Sequence, residues 1–526
     1  MRYLAVGLML AVAPAAQARD AVVEERSIDQ LQADMTTRRA TSVDLVRAYL
    51  KRIEQLDRRG PMLRSIIALN PQALAQAKAL DAERRAGRVR GPLHGIPMLI
   101  KDNIDTLEMP TTAGSLALRD NHTRRDAPVV ARLRAAGAVI LGKTNLSEWA
   151  NIRSNNSMSG WSAVGGLVRN PYALDRTACG SSSGSGSAVA ASLAAAAVGT
   201  ETDGSVVCPA SINGLVGFKP TLGLVSRTHV VPISHSQDTP GPMAKTVRDV
   251  AAMLGAMVAS DPADPATTGA DARRRDYVAG LSASALSGLR VAVYRPDNMG
   301  TDLTARFDAA LAVLREAGAV LVDVKRPELG GLGDAELTVL LTELKADLDV
   351  YLATAPPGVA TRTLDAVIAF NIANAATEMP FFGQELFEQA AKTKGLRDPA
   401  YLAARAKSLR LAGAEGIDAM LKTANAAVLV QPSYGAAWLT DPVHGDQYNG
   451  PSASGLAAVA GYPNLTVPMG LVDGLPVGLS FVATAYGDAA VLGAGYAYEQ
   501  RSRARTAPRY LPTADAGPGL EGASPK

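Results

Sequence analysis

Apolar positions recur at helical spacing near the start of the chain. Leu45, Tyr49, Ile53 and Leu56 share one face of a segment that opens at Thr41-Ser42 with Asp44 and closes at Gly60-Pro61. A hydroxyl followed by an acid caps the free amides of a first turn, so this pattern predicts a helix. Asn70-Pro71 opens a second one, ending near Gly87. The period then shortens. Ile96 to Ile100 is a compact apolar run ending at Lys101, and 138–142 (AVILG) is another, with a helix predicted from Asp126 to Gly137 between them. Apolar runs that alternate with helices predict an α/β sheet.

The same alternation returns downstream. Residues 187–199 (SAVAASLAAAAVG) are alanine-rich and read as helix. LRVAVYR (289–295), a helix over 303–317 and AVLVDV (319–324) predict a β-α-β unit, and 330–425 reads as mostly helical. Residues 464–484 predict two strands turning at Asp473-Gly474, a dipeptide that favours a tight hairpin. No repeat and no clean linker divides the chain. The weakest seam, 260–275, reads as a surface loop or an insertion, so one large domain is expected.

Composition narrows the class. The chain has 526 residues, 47% hydrophobic and 20% charged, as a folded core requires. A net charge of +3 gives no case for a nucleic-acid partner. Arg2, the apolar YLAVGLMLAVAPAA and Ala16-Gln17-Ala18 together predict a secretory signal peptide over 1–18. The mature chain then begins at Arg19 and is periplasmic or secreted; an uncleaved anchor is the lesser alternative. No later stretch is apolar for long enough to span a bilayer, so no stable membrane insertion is expected. The main domain is placed at 19–511 and a flexible Gly/Pro-rich tail at 512–526. Of the two cysteines, Cys179 and Cys208, neither has metal-ligand spacing. Export permits a disulfide; the buried-thiol reading is slightly preferred.

Two stretches offer a nucleophile. ACGSSSGSGSAVA (178–190) matches G-x-S-x-G from Gly180 to Gly184, with Ser182 at its centre. That motif needs a strand leading into the turn, whereas VRNPYALDRTAC precedes it; the order Ser…Asp…His could be met by Asp441 and His444, but these stand three residues apart where separate loops are required. The elbow reading is therefore set aside. GTETDGS (199–205) is different: small residues after an apolar run can aim successive amides at one point, as an oxyanion requires. A lysine could be its base if burial keeps it neutral. Lys101 stands at the end of an apolar run, although from composition alone an ordinary strand-end charge is the plainer reading.

Taken in order, GPLHGIPMLIKDNID, GAVILGKTNLSEWA, CGSSSGSGSAVAA, GTETDGSVVCPASINGLVGFKPTLGLVSR and SQDTPGPMAKTVRD resemble the amidase signature family, from about 25 to 505. SSSGSGS, TETDGSVVCP and SEWAN are most similar to its peptide-amidase branch, which hydrolyses the C-terminal amide of peptides. The resemblance implies an α/β fold: one large domain with a central mixed β-sheet flanked by helices on both faces. It implies a Ser–Ser–Lys triad, with Lys101 as base, Ser181 as bridging serine behind a cis peptide bond, and Ser205 as nucleophile. Backbone amides of Thr202, Asp203, Gly204 and Ser205 would hold the oxyanion. No metal or cofactor is implied; the expected partner is a small-molecule or peptide amide substrate, and the chain is expected to be a monomer. Ser183 and Asp203-Gly204 depart from the glycines of many members but match the peptide-amidase type.

Other residues get plainer roles. Asn155 and Ser157 are candidates to line the substrate cleft. Lys143, Asp238 and Arg153 read as loop supports, Trp149 and Trp161 as core or pocket wall, and His94 as a structural hydrogen-bond former. Residues 330–440 are expected to form the variable cleft wall. A broader aryl or aliphatic amidase is the near alternative, and a non-catalytic periplasmic solute-binding protein is the alternative of another class.

Overall fold

A computed structural model describes residues 21–515; the expected signal peptide over 1–18 and most of the expected tail over 512–526 lie outside the described residues. Among the described residues, eleven strands form one mixed sheet. They are β1 (Ile66–Leu69), β2 (Pro97–Lys101), β3 (Val139–Thr144), β6 (Ala196–Glu201), β7 (Val216–Lys219), β8 (Thr239–Ala244), β9 (Arg290–Tyr294), β10 (Val320–Val324), β11 (Val428–Pro432), β12 (Asn464–Val472) and β13 (Leu475–Val482). A small ribbon pairs β4 (Trp161–Ser162) with β5 (Gly166–Leu167). The sheet order is β1-β3-β2-β6-β8-β7-β12-β13-β11-β9-β10. β3, β2 and β6 run parallel at one side and β11, β9 and β10 at the other, with antiparallel strands between. Every residue of β2, β3, β6, β11 and β13 is buried. Strands buried at both alternating sets of positions have both faces covered, and helices supply the cover. This is the single α/β domain the resemblance implies.

Most expected elements are present. The first helix is Ser42–Arg52, capped by Thr41 and Asp44, and it loosens into a π turn over Ile53–Asp57. Arg290–Tyr294, the helix Thr301–Glu316 and Val320–Val324 form the β-α-β unit, its strands parallel. At the hairpin, Asp473 and Gly474 both have positive φ (48° and 75°), as a type I′ turn requires. The seam at 260–275 is a surface segment tied down at Asp264, which is buried against Arg227.

Two expectations are corrected. The alanine-rich run over 187–199 is not one helix. The helix Ser183–Ala190 ends in a turn at Ser192 (φ 54°), and Ala196–Glu201 becomes β6. β6 lies between β2 and β8, where pairing on both edges overrides alanine's helical preference. Nor are Cys179 and Cys208 free thiols: they form a disulfide, Cα atoms 6.0 Å apart.

Candidate functional site

β2 delivers Lys101 and β6 delivers Thr200 to the same end of the sheet, because the two strands are parallel neighbours. Lys101 is completely buried. Its Nζ lies 2.7 Å from Ser181 Oγ, 2.9 Å from Thr200 Oγ1 and 3.3 Å from Thr200 O. The Asn103 amide donates to the same Thr200 Oγ1 at 2.9 Å, fixing that hydroxyl beside the amine. Burial pulls the Lys101 pKa from 10.5 down to about 7, and the charges of Asp238 and Glu201 only partly oppose it. A neutral amine has two N–H groups and one lone pair. With Thr200 accepting from two sides, the lone pair is left for Ser181.

The serine-rich turn places its members unequally. The Gly180–Ser181 peptide is cis. The Ser181 carbonyl accepts from Ser147 N at 3.1 Å. Ser182 is fully buried, and its hydroxyl donates to Thr200 O (3.1 Å) and accepts from Thr200 N (3.2 Å). Ser182 N donates to Ser205 O at 3.2 Å, which ties the two serine-bearing loops together. Asp441 and His444, the partners an elbow would need, pair with each other on an exposed loop at 2.7 Å.

β6 ends at Glu201, and the chain turns through 202–206 before the short helix Val207–Ile212. Glu201 Oε2 accepts from Val206 N (2.8 Å) and Val207 N (2.9 Å), curling the loop back on the strand end. Thr202 donates to Asp238 Oδ1 at 2.6 Å, and Gln237 Nε2 donates to Thr202 O at 3.1 Å. Gly204 has φ 80°, and a Cβ there would run into the Tyr434 hydroxyl. With the loop held at both edges, the amides of Thr202, Asp203, Gly204 and Ser205 make no hydrogen bond among the described residues. Such a concave set of free N–H groups suits a developing oxyanion. Ser205 is 8% exposed, and its hydroxyl has no partner among the described residues.

The surrounding residues take supporting positions. Lys143 pairs with Asp102 at 3.0 Å, both buried. Arg153 is fully buried against Glu148 and Glu378, its guanidinium 4.3 Å from the Phe382 ring. Trp149 and Trp161 each lie in a buried apolar cluster. The His94 ring is 3.0 Å from Leu80 O. Asn155 N donates to Glu385 at 2.6 Å, while Ser157 Oγ donates within its own loop, to Ser154 O at 2.8 Å and Asn151 O at 3.2 Å. Neither hydrogen-bonds the Lys101–Ser181 pair. Thr200, Asn103 and Gln237 went unremarked in the sequence. Asn103 stood inside IKDN and Thr200 inside GTETDGS, but only the pairing of β2 with β6 brings them together.

Comparisons with known proteins follow the same lines. A family profile described as "Amidase" matches residues 44–492. A probable amidase of Arabidopsis thaliana is 36% identical over 97% of this chain and 96% of its own length. The native peptide amidase of Stenotrophomonas maltophilia is 52% identical and superposes with a TM-score of 0.89, covering 93% of this chain and 99% of that one. A peptide amidase bound to the competitive inhibitor chymostatin gives a TM-score of 0.90 at 52% identity, covering 92% of this chain and 99% of that one.

Proposed function

Because the chain belongs to the amidase family and is an amide-hydrolysing enzyme, we propose that it releases ammonia from the C-terminal amide of peptides, through Ser205, Ser181 and Lys101. The observation that carries this reading is the 2.7 Å contact between Ser181 Oγ and a wholly buried Lys101 amine. Ser181 donates its proton to the Lys101 lone pair and takes one from Ser205. Ser205 Oγ bonds to the amide carbon, and the carbonyl electron pair moves to oxygen. The free amides of 202–205 hold that oxyanion, an effect worth several kcal/mol per site of this kind. Collapse of the intermediate breaks the C–N bond, and the proton returns through Ser181 to the departing ammonia. Water then hydrolyses the acyl-Ser205 ester by the same relay, leaving a free carboxylate.

Similarity to the two peptide amidase structures supports the choice of substrate. An aryl or aliphatic amide is the rival. The experiment is ammonia release from a C-terminally amidated peptide, compared with a simple aryl amide. Turnover of the aryl amide with none of any peptide amide would sink the peptide reading and leave the amidase. The Cys179–Cys208 disulfide and the leader over 1–18 support an exported enzyme, since disulfides persist in oxidising compartments. Fractionation of the source cells checks this, and activity confined to the cytosol would reject it.

A further inference from the structure

A second set of unpaired donors lies at the other end of the sheet. β8 runs antiparallel to β6, with Thr239 opposite Glu201 and Ala244 opposite Ala196. Lys245, the next residue, therefore sits at the far end of β6 from Thr200, roughly 16 Å away at ~3.3 Å per residue. Lys245 is only 4% exposed, yet its Nζ has no hydrogen-bond partner. It lines a cavity of about 350 Å³ together with Ser502 and Arg503. Arg503 likewise has no partner among the described residues. Buried ammonium groups are ordinarily paired, so the unengaged buried amine of Lys245, with the exposed Arg503 guanidinium at the same cavity, marks a built recognition site.

The charges around the cavity define what fits. Glu25 and Arg505 also line it, but they neutralise each other in a two-pronged ion pair (2.7 and 3.1 Å). Glu499 lines it too, and its carboxylate accepts from Val247 N at 2.8 Å. Against Lys245 and Arg503, that leaves a single positive charge. A monoanion matches it, whereas a dianion would meet Glu25 and Glu499 unfavourably. A planar carboxylate suits the guanidinium fork, and the volume suits a metabolite-sized molecule rather than a bare ion. We propose that this cavity binds a small organic monocarboxylate, at a site separate from the amide-cleaving centre.

Titration adds a pH signature. Burial pulls Lys245 down to about 8; Arg505 and Arg52 push the same way, while Glu25 and Asp249 oppose them. Burial also raises Glu499 and Asp249 to about 7. Affinity for the monocarboxylate therefore declines as pH rises through about 8, where the amine loses its proton, and discrimination against a dianion weakens below about 7, where Glu499 becomes neutral.

The test is calorimetric titration of the full chain at pH 7.5 with acetate, with acetamide as the neutral isostere and sulfate as the dianion. Acetate should bind, sulfate more weakly, and acetamide not at all. Lys245→Met should weaken acetate by about tenfold or more, the usual cost of a lost charged hydrogen bond. Arg503→Gln, on an exposed side chain that leaves folding untouched, should weaken it several-fold, and Ser205→Ala should leave it unchanged. Equal acetate affinity in the Lys245 and Arg503 variants, equal binding of acetamide, or loss of binding in the Ser205 variant would each overturn the proposal. The readout is binding, so it stands apart from the identity of the amide substrate.

Discussion

Replacing Lys101 by methionine removes a buried amine while nearly filling its volume. In the folded chain that amine titrates at about 7. In the unfolded chain it titrates near the ordinary lysine value of about 10.4. Between those two pH values the unfolded chain holds a proton that the folded chain has released. Stability therefore rises with pH across the window and is lost as pH falls back toward 7. At about 1.36 kcal/mol per pH unit, the penalty Lys101 imposes on folding is about 4 kcal/mol at pH 7 and smaller by about 2–3 kcal/mol at pH 9. Its contacts to Ser181 and Thr200 return about 1 kcal/mol each. The methionine variant should thus match or exceed wild-type stability at pH 7 and fall behind by about 2–3 kcal/mol, relative to that starting point, at pH 9. Urea unfolding of both proteins at pH 7, 8 and 9 measures the gap. The comparison isolates Lys101, because Lys219 and Lys245, each pulled down to about 8 by burial, titrate in both proteins. The variant should have no measurable turnover, and wild-type kcat/KM should climb through about pH 7 as the base loses its proton. A stability gap that does not change between pH 7 and 9 would refute the neutral-lysine argument.

Ser205→Ala should abolish ammonia release with an unchanged melting temperature, while Ser182→Ala, which loses only its bonds to Thr200, should retain most activity; steady-state assays of both decide which serine attacks. Cys179→Ala with Cys208→Ala opens a loop spanning 29 positions and should cost about 3–4 kcal/mol by chain entropy, read as a lower denaturant midpoint. Arg153→Met leaves Glu148 buried without its cation and should destabilise by about 3–5 kcal/mol in the same assay.

Which parts of the molecule were legible in the sequence follows from the range of the interactions involved. The hairpin at Asp473-Gly474 and the β-α-β unit at 290–324 are set by neighbours within a few dozen residues, so periodicity and turn chemistry suffice. The run 187–199 failed because β6 is a strand only by virtue of β2 and β8, contributed by distant segments. The same limit applies to the site. Lys101 read as an ordinary strand-end charge until a family resemblance intervened, since its burial depends on residues 80 and 99 positions away. The cavity around Lys245 and Arg503 left no mark in the sequence, because the end of β8 and the end of the helix Asp488–Ser502 meet only in the folded chain.

The disulfide encloses more than two sulfur atoms. Ser181 and Ser205 both lie between Cys179 and Cys208, so the bond makes a covalent ring around the two hydroxyls of the proposed relay. An opening fluctuation that carried one serine loop away from the other would have to drag the ring with it. Fraying elsewhere, as at the exposed loop bearing Asp441 and His444, costs the pair nothing. While the ring is closed, it limits how far the two hydroxyls can drift apart; once it is reduced, that limit falls to hydrogen bonds, among them Ser182 N to Ser205 O and the Ser182 hydroxyl to Thr200, and to local packing.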